Sequence, residues 1–201
     1  HTLQHRQIGV DEKLDITCRI KHQQITGKGF EFDMHSAIRS GDELVWECIN
    51  RYYFRGRYGV VELNLSNFDF IPMTGNHCEI SWKSPSNYGL SFARVTGDYN
   101  PSHYLSVFAR INGFNKNFCH GLLAIASNLQ QLPDLELNRP VRVDSLLKGP
   151  VYYSSRILTR YFCHDSGLRY DLFCGSNKRP SICGNIQNVR NGSVIDLSPG
   201  V

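Results

Sequence analysis

From Leu14 the chain alternates, with Leu14, Ile16, Cys18 and Ile20 on one face and Asp15, Thr17, Arg19 and Lys21 on the other, the period-2 pattern of a half-buried strand. Thr26-Gly27-Lys28-Gly29 breaks the run. A second run sets Phe30, Phe32 and Met34 against Glu31, Asp33 and His35, and Ser40-Gly41-Asp42 turns the chain into a third, LVWECINRYYF. Residues 14–54 therefore read as a three-stranded antiparallel meander. The C-terminal segment repeats the pattern, with strands expected near 150–164, 168–176 and 181–189.

The two meanders align without a gap. Gly29-Phe30-Glu31-Phe32-Asp33-Met34 falls on Gly167-Leu168-Arg169-Tyr170-Asp171-Leu172, and Asn50 on Asn188, both 138 residues apart (167 − 29 and 188 − 50). Between them, HGLLAIASNLQQL at 120–132 is apolar on nearly every side and Pro133 ends it, which predicts a helix buried all round under the sheet that follows. The same offset puts a matching first helix before residue 1. The expectation is a partial, mainly sheet repeat over 1–66 and a complete one over 67–201, joined through SNFDFIPMTGNHC.

Composition narrows the classes. At 201 residues and 41% hydrophobic composition the chain can bury a substantial core. Its formal charge of +4 contains no run of basic residues, which argues against a nucleic-acid partner. No apolar stretch approaches the roughly 18 to 20 residues of a membrane span, and the first residues carry no signal-peptide pattern, so no membrane contact and a cytoplasmic location are expected. Seven cysteines without a CxxC pair fit neither a disulfide framework nor a zinc ribbon. Cys119-His120 and Cys163-His164 resemble ligand dipeptides but lack a second pair at ligand spacing, so no metal is expected.

The candidate chemistry lies in GDYNPSHY at 97–104. Asn100-Pro101 is a helix start, because asparagine caps well and proline has no N–H to lose at the first helical position. His103 then sits in the first turn, and Asp98 lies just before the cap. The two side chains can converge on one water, each able to exchange a proton near neutral pH. A polar turn with a half-buried histidine would use the same residues. What favours chemistry is the sequel: Cys119-His120-Gly121 opens the apolar helix, whose N-terminus offers free backbone N–H groups to an oxyanion.

The stretch TGDYNPSHYLSVFARINGFNKNFCHGLLAIA resembles the signature of MaoC-like (R)-specific enoyl-CoA hydratases (hydratase 2), in which G-D-x-N-P-x-H is followed by a helical segment, a Gly-Phe and an H-G. Gly97, Asp98, Asn100, Pro101, His103, Gly113, Phe114, His120 and Gly121 supply every element. The resemblance implies an α+β hot-dog fold, an antiparallel sheet wrapped around a central helix, doubled here with a first repeat that lacks its helix. It implies a lyase of fatty-acid metabolism that hydrates trans-2-enoyl thioesters to (R)-3-hydroxyacyl thioesters, or the reverse dehydration, with no cofactor. Asp98 and His103 would activate the water, either of them being suited to act as base. The Gly121 N–H would meet the thioester oxygen, with Asn100 and His120 as support. The substrate would be a thioester of coenzyme A or acyl-carrier protein, with Lys116, Arg139, Lys148 and Arg156 as candidates for the phosphates. A homodimer is left open, since paired repeats mimic a dimer while sheet edges can pair further. The alternatives are a hot-dog thioesterase and a catalytically silent acyl-thioester binding module.

Overall fold

The computed structural model describes residues 1–61, 73, 75–133 and 140–189. In chain order they form β1 (Thr2–Gln4), β2 (Asp15–Thr26), β3 (Gly29–Ser40), β4 (Glu43–Arg55), β5 (Cys78–Lys83), α1 (Gly89–Thr96), α2 (Ser106–Ile111), α3 (Gly121–Leu129), β6 (Val141–Leu147), β7 (Arg156–His164), β8 (Gly167–Cys174) and β9 (Ile182–Asn188), with a 3-10 turn at Pro101–His103. Two compact units emerge, one of His1–Asp69, Glu136–Asp144 and Ile186–Val201, the other of Phe70–Leu135 and Ser145–Asn185. The segment where the sequence suggests a boundary lies largely outside the described residues, at 62–72 and 74.

In the first unit the strands follow the order β2-β3-β4-β1-β6, all antiparallel where paired. The hairpin β2–β3 closes tightly because the Thr26 hydroxyl accepts from the Lys28 and Gly29 amides and donates to the Gly29 carbonyl. Glycine is needed at 29, since a Cβ there would lie 2.2 Å from the Phe54 carbonyl oxygen. Leu3, Val45, Cys48, Val141 and Ile186 form the buried core of this unit. The expected half-burial of β2 is corrected: Ile16 is 66% and Ile20 60% exposed. Strand β2 ends the strand order, and the described residues of this unit include no helix to cover its apolar face.

The second unit orders its strands β9-β8-β7-β5. Its β7–β8 hairpin pairs His164 with Gly167, as β2–β3 pairs Thr26 with Gly29, so the 138-residue offset holds in the hydrogen-bond register as well as in the sequence. A bulge between Lys21 and Gln24 is peculiar to the first hairpin. Ile157, Leu172 and Ile182 are fully buried, and each contributes roughly 1.5–3 kcal/mol by leaving water. Tyr170 packs so closely on Gly184 that a Cβ at 184 would sit 2.3 Å from its ring.

Helix α3 is tied to the sheet through polar atoms as well as packing. The Thr159 hydroxyl on β7 donates to Asn128 Oδ1 at 2.6 Å and accepts from the Trp82 indole on β5 at 3.0 Å, with Thr159 and Asn128 both fully buried. The helix is not buried all round, as its composition suggested. Ala124 and Asn128 are buried, whereas Leu122 is 67% exposed, because a helix laid on one sheet buries only the stripe that faces it. Short strands β1, β5 and β6 and helix α1 carry too few periodic positions to be legible in the sequence.

Candidate functional site

Helix α1 ends at Gly97, whose φ of +75° is the left-handed cap conformation that glycine adopts without strain, and the Gly97 N–H bonds to the Ala93 carbonyl. The chain then turns through Asp98, whose Oδ1 accepts from the Asn100 N–H at 3.2 Å. Asn100 Oδ1 in turn caps the 3-10 turn by accepting from the Ser102 N–H at 3.1 Å. The polar-turn role and the converging role thus coexist. Oδ1 of Asp98 holds the turn, while Oδ2 faces two histidines.

His103 is buried, and its Nδ1–H donates to the Phe118 carbonyl at 3.0 Å. That bond leaves Nε2 as a lone-pair acceptor directed at Asp98 Oδ2, 4.0 Å away. His120, also buried, lies with its ring stacked on that of His103 at a centroid distance of 3.9 Å. Its Nε2–H donates to the Asp98 carbonyl at 3.0 Å and is likewise 4.0 Å from Oδ2. His120 Nδ1 is buried without a hydrogen-bond partner among the described residues. Burial holds the His103 imidazole below its ordinary pKa and His120 adds to this, while the Phe118 bond and Asp98 act in the opposite sense. The net effect favours the neutral form of the His103 imidazole.

Gly121 is the first residue of α3, with His120 at its N-cap. The N–H groups of a first helical turn have no intrahelical acceptor, so this turn presents donors beside the two histidines. A Cβ at Gly121 would lie 2.6 Å from Leu147 Cδ1. Burial pushes the Cys119 thiol up to about 12, away from the thiolate form that a nucleophile needs. Of the basic candidates, Lys116 donates to the Tyr153 carbonyl and Arg156 lies near the Ser81 hydroxyl, whereas Arg139 is outside the described residues.

Two contributors escaped the sequence. The Phe118 carbonyl orients His103, and it is itself aimed by the antiparallel bridge of Phe118 to Tyr152 and by the Cys119 N–H on the Val151 carbonyl. A backbone acceptor has no side-chain signature. Gly89, at the start of α1, lies against the His103 backbone, where a Cβ would come 2.2 Å from the carbonyl oxygen. A glycine that opens a helix was the one available signal.

No family model matches the chain, and no curated protein does. Solved structures do. HtdX from Mycobacterium tuberculosis is 18% identical over 94% of this chain and 74% of that chain, with a TM-score of 0.73. A MaoC-like dehydratase from Phytophthora capsici is 18% identical over 94% of this chain and 70% of that one, with a TM-score of 0.75. The peroxisomal multifunctional enzyme type 2 of Drosophila melanogaster, 15% identical, matches 94% of this chain but 36% of its own length, with a TM-score of 0.72. The chain has the fold of the MaoC-like dehydratases, a double hot dog whose first repeat lacks a helix among the described residues.

Proposed function

We propose that this chain is a MaoC-like hydratase that adds water to trans-2-enoyl thioesters, giving (R)-3-hydroxyacyl thioesters, or catalyses the reverse dehydration. The observation that carries the reading is His103 Nε2 facing Asp98 Oδ2 across 4.0 Å, with the imidazole locked by the Phe118 carbonyl. A water on these two acceptors would have its oxygen lone pairs free for carbon. His103 Nε2, neutral and lacking a proton, takes one proton from that water as its oxygen bonds to C3, and the imidazolium so formed passes that proton to C2 as the enolate collapses. Asp98 Oδ2 holds the water and stabilises the imidazolium. The electron density that moves onto the thioester oxygen is met by the Gly121 N–H and the aligned peptide dipoles of α3, and losing such a donor costs about 3 kcal/mol of transition-state stabilisation. Asn100 and His120 hold the Asp98 loop in place, through the cap and through the Asp98 carbonyl.

Residues 67–201 carry this site in our reading, and 1–66 are the partial first repeat. The substrate is an acyl thioester of coenzyme A or acyl-carrier protein, processed in fatty-acid metabolism. A cytoplasmic setting is supported by seven unpaired cysteines, and no helix of the described residues is long and apolar enough to cross a membrane. Assembly as a homodimer is supported by the exposed strand β2 at the end of its sheet order.

The test is incubation with a short and a medium trans-2-enoyl-CoA. The conjugated double bond should disappear without release of free thiol. Asp98→Asn, at a half-exposed position, should keep the fold and lower kcat by about 10²- to 10⁴-fold. Thiol release would point to a thioesterase, binding without reaction to a silent module, and full activity of Asp98→Asn would remove the site assignment.

A further inference from the structure

The three groups that meet at the site have a second chemistry. Asp98, His103 and His120 each present one donor atom, and all three atoms lie within 4.8 Å of one another. We propose that they form a divalent transition-metal site of the zinc(II) class, occupation of which displaces the reacting water and switches hydration off. The metal site stands on the geometry alone, and the switching rests on the hydratase reading.

Two imidazole nitrogens and one carboxylate oxygen suit a borderline-soft cation that accepts three protein ligands and keeps a fourth position for solvent. Magnesium and calcium, which favour all-oxygen shells, are poorly matched. His103 is already arranged as a ligand: its Nδ1–H is fixed on the Phe118 carbonyl at 3.0 Å, which turns Nε2 to the centre of the cluster. A backbone carbonyl in that position is the usual outer-shell partner of a metal-bound histidine.

Tetrahedral zinc with bonds near 2.0–2.1 Å separates its ligand atoms by about 3.4 Å. The 4.0 Å from Asp98 Oδ2 to each Nε2 must therefore shorten by about 0.6 Å, and the two histidine nitrogens, within 4.8 Å of one another, must close to the same spacing by a tilt of the stacked rings. Asp98 can make that movement, since its side chain is 53% exposed and only Oδ1 is engaged, in its own turn. His120 would exchange its bond to the Asp98 carbonyl for the metal. That carbonyl belongs to an exposed residue, which water can satisfy. In either tautomer one His120 ring nitrogen remains without a partner, so the exchange strands no further buried polar group.

Seven free cysteines, of which Cys18, Cys78 and Cys163 are exposed, require a probe that distinguishes ligand types. The full chain, stripped with a chelator, is titrated with cobalt(II). The expected result is one cobalt per chain with the visible bands of a four-coordinate nitrogen and oxygen shell, free of thiolate charge-transfer absorption and abolished by zinc. Asp98→Asn should weaken this binding at least about tenfold while the circular dichroism is unchanged. Hydration measured in chelator should fall to background with one equivalent of zinc and return on renewed chelation. Thiolate bands alone, no cobalt bands, or unchanged affinity in Asp98→Asn would overturn the site. Zinc bound with activity retained would overturn the switch. A chelated protein that binds cobalt as described but hydrates nothing would retain the site and overturn both the switch and the hydratase reading.

Discussion

Gly89→Ala offers a test of the site that touches none of its functional groups. Position 89 opens α1, and an ideal Cβ there would lie 2.2 Å from the His103 carbonyl oxygen and 2.8 Å from its carbonyl carbon, both backbone atoms. Real Cβ contacts essentially never fall under 3.0 Å, so the gap must open by at least about 0.8 Å. The turn that carries His103 would have to move, while the ring stays tied to the Phe118 carbonyl and Asp98 stays tied to His120. A displacement near 1 Å of a catalytic group costs about 100-fold, or roughly 2.7 kcal/mol of activation free energy. Overpacking should also lower the unfolding free energy by about 1–3 kcal/mol. The assay is the loss of enoyl-thioester absorbance, run well below the melting temperature, alongside a urea titration. Gly27→Ala is the control, since a Cβ there meets nothing within 4 Å, and it should change neither quantity. A Gly89→Ala protein with wild-type unfolding and kcat/KM within about twofold of wild type would refute the argument.

The acid limb of the kcat/KM profile, recorded in chelator, should have its midpoint below the ordinary imidazole value of 6.5, because burial disfavours the charged form of His103; a midpoint at or above that value counts against His103 as base. The same shift makes the unfolded chain bind more protons than the folded one as pH falls, so the His103 contribution to stability is intact above 6.5 and is lost as pH drops through its folded pKa, which urea titrations across that window would register. Gly121→Pro, made together with Leu147→Ala to clear the space, deletes the first N–H of α3 at a position where proline is tolerated; kcat should drop about 10²- to 10³-fold with helicity retained. Thr159→Val would leave Asn128 and Trp82 without their partner and should cost about 1–3 kcal/mol in denaturant unfolding with little change in kcat, because Thr159 joins α3 to the sheet away from Asp98 and His103.

Much of this protein was legible along the chain. The period-2 runs and their glycine turns determine β2, β3 and β4, and the 138-residue offset marks two copies of one hairpin, later seen in the shared register of Thr26 with Gly29 and His164 with Gly167. Asn100-Pro101 determines a capped turn, because a cap is local chemistry written in adjacent residues, whereas the helix start at His120-Gly121 has no side-chain cap and was legible from the apolar run that follows it. Burial was not legible. The alternation of β2 is that of a covered strand, yet Ile16 and Ile20 are exposed, since covering depends on what another part of the chain lays over them.

The site divides in the same way. Sequence places Asp98 and His103 on the two sides of a turn, but it leaves open which accepts the proton. The tertiary structure puts Nδ1 of His103 on the Phe118 carbonyl, so that Nε2 is the nitrogen turned to Asp98. It favours the neutral ring through burial and brings His120 onto the Asp98 carbonyl from 22 residues away, which is what supports His103 as the base in the proposed reaction. The reason is physical: an imidazole can donate from either nitrogen, and only the acceptor that reaches it first through space selects which one remains to do chemistry.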